Sequence, residues 1–145
     1  MKIRVMSIED YDKVYELWTN TEGMGLRSLD DSYEGIDQFL KRNPATNFIA
    51  EIENEIIGTI LCGHDGRRGY IYHTAVRTKY RGKGIGKALV KAVLDALRRE
   101  EINKVALVAF ESNESGNKFW ESLGFNNRKD LIYRNKTINE TLLNI

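Results

Sequence analysis

The chain is short of cysteine, proline and charge of one sign, and each shortage closes a class of function. Cys62 is the only cysteine among 145 residues. A disulfide framework within the chain is thereby excluded, and no thiol cluster is available for zinc. Cys62 lies in the apolar run Ile56-Ile57-Gly58-Thr59-Ile60-Leu61-Cys62, which reads as a strand with the thiol as a small buried hydrophobe rather than a nucleophile. Pro44 is the only proline, and no repeat, low-complexity run or linker is visible, so one domain over residues 1–145 is expected. Lys and Arg number 22 against 21 Asp and Glu, a net charge of +1. That balance provides no overall field to recruit nucleic acid or an acidic membrane, and neither is expected as a partner. Long apolar runs are missing too. Met1-Lys2-Ile3-Arg4-Val5 meets Glu9 and Asp10 before an apolar export segment can form, so no signal peptide and no membrane span is expected, and the cytoplasm is the default location.

What remains is a globular composition, 41% hydrophobic and 30% charged. Lys2–Met6 alternates as a strand does. Ser7 followed by Asp10 resembles a capping box and predicts a helix to about Thr19, with Val14, Leu17 and Trp18 on one face. Residues 20–31 are rich in Gly and Asp and read as a loop. A second helix over Ser32–Lys41 must end before Asn43-Pro44. Phe48–Glu53 and Ile56–Gly63, joined near Asn54, form a hairpin, and Gly69–Arg77 follows as a third strand. The strongest helical pattern starts near Gly84, with Ile85, Ala88, Leu89, Ala92, Val93, Ala96 and Leu97 on one side. Lys104–Phe110 is a short strand, Glu114–Leu123 a helix stopped by Gly124, and Leu131–Tyr133 a last strand. The helix between Val76 and Val105 implies a right-handed parallel crossover. Leu142, Leu143 and Ile145 make an apolar tail suited to the core or to a neighbouring chain.

The sharpest local signal is Tyr80-Arg81-Gly82-Lys83-Gly84-Ile85-Gly86-Lys87-Ala88, between a strand and an amphipathic helix. Alternate glycines strip side chains from one bend, so backbone can approach a ligand and adopt positive φ. The first turn of a helix leaves several N–H groups unpartnered, and with the helix dipole they make an anion site. Arg81, Lys83 and Lys87 add positive charge, and a diphosphate suits this chemistry. The spacing fits neither a P-loop, because Ala88 follows Gly86-Lys87, nor a dinucleotide fingerprint.

Arg81-Gly82-Lys83-Gly84-Ile85-Gly86 resembles the R/Q-x-x-G-x-G/A motif of the GNAT N-acetyltransferase superfamily. Val76 and the spacer to Arg81 look like the end of that family's central strand. Asn113, Gly116, Phe119, Trp120, Leu123, Gly124 and Phe125 resemble its second signature. The two motifs cover about residues 70–125. The resemblance implies an α/β fold: a mixed, mostly antiparallel sheet flanked by helices, in which two central parallel strands, ending near Val76 and Val108, splay apart after a bulge. It implies acetyl-CoA as co-substrate in that cleft, with no metal. The backbone of Ala75, Val76 and Arg77 would pair with the pantetheine arm like an added strand. Amides of Gly82, Lys83, Gly84, Ile85, Gly86, Lys87 and Ala88 would cradle the pyrophosphate, with Arg81 shaping the loop. Asn113 would bond to pantetheine, near Gly116, Phe119 and Trp120.

The implied reaction is direct attack on the thioester by a primary amine of a small molecule or peptide, within a ternary complex. An alkyl ammonium with a pKa of about 10.4 must first lose a proton. The resemblance makes the Val76 N–H the donor to the developing oxyanion. Alternation puts Tyr70, Tyr72 and Thr74 on one face, aimed by resemblance at the acceptor, and His73 on the other. Tyr72 is then a candidate to position a water, and His73 is either the base or a buried, hydrogen-bonded histidine. The family often carries tyrosine where Trp120 stands, and its hydroxyl protonates the departing sulfur. Indole lacks that acidity, and Tyr133 on the expected last strand is the candidate replacement acid. Glu22, Arg27, Asp30, Asp31, Glu34 and Asp37 form either an acidic lip for a cationic amine or a solvated loop. The rival to an enzyme is a non-catalytic acyl-CoA-binding sensor or interaction domain. A homodimer is expected by resemblance alone.

Overall fold

The computed structural model describes residues 1–144; Ile145 of the expected apolar tail lies outside them. Strands β1 (Lys2–Val5), β2 (Phe48–Ile52), β3 (Glu55–His64), β4 (Gly69–Val76) and β5 (Val105–Leu107) form one sheet in chain order. The first four pair antiparallel, and β5 runs parallel to β4. Helices α1 (Tyr11–Thr19) and α2 (Tyr33–Arg42) precede β2, α3 (Ile85–Arg99) crosses from β4 to β5, and α4 (Glu114–Ser122) follows β5. The β2–β3 hairpin turns on Glu53 and Asn54, at φ 50° and 66°, the consecutive left-handed pair that a tight hairpin requires.

The sheet divides the core in two. Ile49, Leu61 and Ala75 meet Val14, Leu17 and Trp18 of α1 and Ile36 and Leu40 of α2. On the other face Ile57, Ile60, Cys62 and Ile71 meet Leu89, Val93, Ala96 and Leu97 of α3, with Phe119 and Trp120 of α4 packed alongside. Burying each such large side chain contributes about 1.5–3 kcal/mol. Cys62 is fully buried, and burial pushes its thiol up to about 12, so it is a core residue as expected.

Two departures from the sequence expectation concern the C-terminal part. The strand expected over Lys104–Phe110 is shortened to Val105–Leu107, and Val108 and Phe110 are exposed. No strand forms at Leu131–Tyr133, whose side chains are exposed. That apolar triplet is flanked by charges, and Arg128 closes locally on Asp130 at 2.8 Å rather than pairing along a sheet edge. The tail is tied by backbone instead of apolar packing: the Ser28 amide donates to the Leu143 carbonyl at 2.7 Å, and the Leu143 amide donates to Ser28 Oγ at 2.7 Å.

The start of α1 is fixed by an ion pair. The Arg4 guanidinium donates to both Asp10 oxygens, at 2.9 and 2.8 Å, and the Ser7 amide donates to Asp10 Oδ2 at 2.9 Å. Burial pulls the Asp10 carboxyl upward, but the Arg4 and Ser7 hydrogen bonds outweigh it and hold the group below its ordinary value. A depressed folded value means stability that is present above the unfolded pKa, about 3.9, and is lost as pH falls through the folded one. Asp10→Asn should therefore lower unfolding free energy at neutral pH by about 1.5–3 kcal/mol, the range for a hydrogen bond to a charged partner. In urea titrations the gap to wild type should narrow below about pH 3.9, as wild-type Asp10 becomes protonated.

Candidate active site

β4 pairs with β5 only over Gly69–Ile71, opposite Val105–Leu107. Beyond Ile71 no strand among the described residues lies on that side of β4. The Arg77 amide donates to Ile57 O at 2.7 Å, and Ala75 pairs with Thr59. Antiparallel alternation then turns the N–H and C=O of Thr74 and Val76 toward the open side. This divides the expected Ala75–Arg77 run. Ala75 and Arg77 commit their backbone to β3, and Thr74, with the Val76 N–H, presents the free groups. The Arg77 side chain is also engaged elsewhere, donating to Glu16 at 2.8 Å and to Ile56 O at 3.2 Å.

The glycine loop continues from this edge. Gly82 and Gly84 adopt φ 76° and 81°, and a Cβ on either would point into open space. Gly84 caps α3, and the first turn's N–H groups at Ile85, Gly86 and Lys87 precede the first helical bond, Ala88 N to Gly84 O at 3.0 Å. Gly86 is glycine for another reason: a Cβ there would lie 3.1 Å from Phe119 Cζ. Arg81 donates through Nε to the Val76 carbonyl at 3.1 Å, which pins the loop to the end of β4. The Lys79 and Lys83 ammonium groups lie 5.3 and 5.5 Å from the Tyr80 ring centre, and Lys87 is exposed.

Across the gap, Asn113 caps α4, with Oδ1 accepting from Gly116 N at 3.0 Å. Gly116 is bare because a Cβ would fall on the Asn113 side chain. Trp120 stacks edge-on between Phe119 and Phe125, at 5.0 and 5.1 Å, and serves packing. An open cleft of about 470 Å³ separates Glu22 and Gly23, in the loop before α2, from Phe110 and Ser112–Ser115.

The opposite face corrects the alternation argument. Ile60 is opposite Thr74 and Cys62 is opposite Ile71, so Leu61 faces both Tyr72 and His73. This β-bulge turns two consecutive side chains to the α1–α2 face and moves Thr74 off it. Tyr72 packs on Tyr70 at 4.7 Å and on Phe39 at 5.6 Å. His73 packs on Trp18 at 4.9 Å and bonds through Nε2 to Asp31 Oδ1 at 2.7 Å. Tyr133, though not on a strand, lies beside Tyr70; burial first, then Tyr133, pushes the Tyr70 phenol up to about 12. Burial likewise raises Tyr72, so both phenols stay protonated at neutral pH. Asp31 does not belong to an acidic lip. It is 5% exposed, and its second oxygen accepts from the Arg27 amide at 2.6 Å. Asp37 pairs with Lys41, which leaves Glu22, Asp30 and Glu34 as the exposed acids of the expected set. Pairing of Asp31 with His73, 42 residues away, had no local signal in the sequence.

An α/β sheet splayed beside β4, with a bare-backbone helix start at the splay, defines the class. Residues 11–125 match the model of the acetyltransferase (GNAT) family, and the chain belongs to that family. It is 29% identical over 140 residues to Acetyltransferase SG1711 of Sodalis glossinidius (strain morsitans), covering 97% of each chain. Its fold is similar to that of PaiA N-acetyltransferase from Thermoplasma acidophilum in complex with coenzyme A, with TM-score 0.76, 20% identity, and coverage of 86% and 89% of the two chains. Its fold also resembles that of a predicted acetyltransferase from Clostridium acetobutylicum solved with acetyl-CoA, with TM-score 0.75, 21% identity, and coverage of 92% and 95%.

The two reasons for glycine separate by mutation. Gly84→Ala forces a left-handed alanine and should cost about 1–2 kcal/mol of stability. Gly86→Val should cost about 1–3 kcal/mol by overpacking against Phe119. A double-mutant cycle with Phe119→Ala should show coupling for Gly86→Val and none for Gly84→Ala.

Proposed function

We propose that the protein transfers an acetyl group from acetyl-CoA to a primary amine of a small molecule or peptide, by direct attack in a ternary complex. The observation that carries this reading is the continuity of the open β4 edge with the glycine loop. The unpaired backbone groups of Thr74 and the Val76 N–H suit an extended amide-bearing arm, which would add to the sheet as a strand does. The amides of Gly82–Ala88 at the start of α3, with Lys83 and Lys87 nearby, suit a diphosphate at the end of that arm. The two structures of similar fold solved with coenzyme A and acetyl-CoA support the same donor.

Acetyl-CoA supplies an activated thioester; the chain supplies position and charge. The Val76 N–H, free of β3, would donate to the oxygen on which charge develops. Holding donor and acceptor together in the cleft contributes much of the rate. Trp120 packs beside the donor and takes no proton part, because a thiol pKa of about 8.5 makes thiolate a tolerable leaving group.

Calorimetry tests the donor site. Wild type should bind acetyl-CoA, and Gly84→Asp should weaken binding by more than about tenfold, one decade being about 1.4 kcal/mol. Gly66→Asp, at a comparable φ of 87° in a remote turn, should leave binding unchanged. Folded wild type that binds no acetyl-CoA would overturn the proposal. Amine-dependent release of CoA then separates an enzyme from a sensor. Trp120→Tyr should not reduce that turnover; a large fall would give the indole an active part.

A further inference from the structure

We infer that His73, oriented by Asp31, accepts the proton of the incoming ammonium; the inference rests on the acetyl-transfer function proposed above. An ionised carboxylate only accepts hydrogen bonds, so the 2.7 Å contact requires the proton on His73 Nε2. Nδ1 is then the bare nitrogen, and no group among the described residues hydrogen-bonds to it. The residue keeps 16% of its side-chain exposure, and Asp31 keeps 7%.

The carboxylate is built in rather than incidental. Oδ2 is held by the Arg27 amide at 2.6 Å, and the Asp31 carbonyl accepts from the Tyr11 hydroxyl at 2.6 Å. The chain crosses the first turn of α2 at Gly35, where a Cβ would collide with the carbonyl oxygens of Leu29 and Asp30. A glycine in α2 thus lets this loop lie close enough to bring Asp31 under β4. On the other side the Trp18 ring meets the imidazole edge-on, which fixes the plane of the ring. The groups around His73 are therefore Asp31 from the loop, Trp18 from α1, which does not titrate, and Tyr72 beside it on β4, which stays protonated. The bulge carries the assignment, because without it His73 would face α3.

The acceptor arrives as an ammonium. Nδ1 takes one proton, leaving a neutral amine and an imidazolium stabilised by Asp31. The amine lone pair then forms the C–N bond, and the C–S bond breaks with its electron pair on sulfur. The second nitrogen proton passes to sulfur, and the imidazolium returns its proton to solvent. His73 is a catalytic residue in this account and Asp31 a positioning residue.

Two measurements test it. Nitrogen NMR at about pH 9, where imidazole is neutral, should find His73 in the Nε2–H tautomer in wild type, and Asp31→Asn should raise the Nδ1–H fraction. A wild-type Nδ1–H tautomer would overturn the assignment. In the second, CoA release is followed with 1,4-diaminobutane and with a free-N-terminus peptide, using whichever is turned over faster. His73→Gln should reduce kcat/KM at neutral pH by about 10²–10⁴-fold, and Asp31→Asn should reduce it in the same direction, with acetyl-CoA affinity kept in both. The deficit should shrink as pH rises to about 10, where the amine loses its proton unaided. A lesion that only loosens the fold would leave a deficit independent of pH. His73→Gln within about threefold of wild type, on an enzyme that binds acetyl-CoA and releases CoA, would overturn the base alone. Wild type that binds no acetyl-CoA would overturn the function on which it rests.

Discussion

The architecture turns on a backbone ladder that stops short. β4 is eight residues long and β5 three, so the second half of β4 carries N–H and C=O groups on one side with no strand among the described residues to meet them. Buried backbone polar groups without partners are costly, and proteins rarely keep them without a use. Arg81 Nε at the Val76 carbonyl is one partner supplied by the chain itself. The position of α3 follows from the same gap. The helix starts where β4 ends, so its unpartnered amides and the free strand edge form one continuous polar track.

That track demands different things of neighbouring glycines. Gly82 and Gly84 turn the chain through left-handed backbone and leave the space above them open, whereas Gly86 yields space to Phe119. Phe119 belongs to α4, and the same helix is started by the Asn113 cap folded over Gly116. The two motifs, far apart in sequence, are therefore joined physically at the Gly86–Phe119 contact. The spacing of one constrains the packing of the other, which is why the pair is more specific than either part.

Most of the frame was legible in the sequence because it rests on local rules. Periodicity gave α3 from Ile85 and both hairpin strands, Ser32 and Pro44 bracket α2, and the glycine loop falls where a strand meets a helix. What was not legible is long-range or aperiodic. Leu131–Tyr133 has strand composition, but composition provides no partner edge, and the segment stays irregular. Asp31 looked like one of several loop acids, because nothing near it in sequence announces His73. The faces of His73 and Thr74 were misplaced by counting in twos, and a single extra residue defeats that count.

On the proposed function, the bulge lets one strand face two substrates. A regular β4 would send Tyr72 and His73 to opposite faces, and only one of them could look toward the loop before α2. With the extra residue both face α1 and α2, while Thr74 and Val76 regain the alternation that turns their backbone to the open edge. The side chains available to an acceptor and the backbone available to a donor thus lie within a few residues of each other but point in different directions. A thioester laid along the edge and an amine approaching over His73 would then meet without competing for the same groups. The proposed attack in a ternary complex needs no covalent relay through the protein, in keeping with the burial of Cys62, the only thiol in the chain.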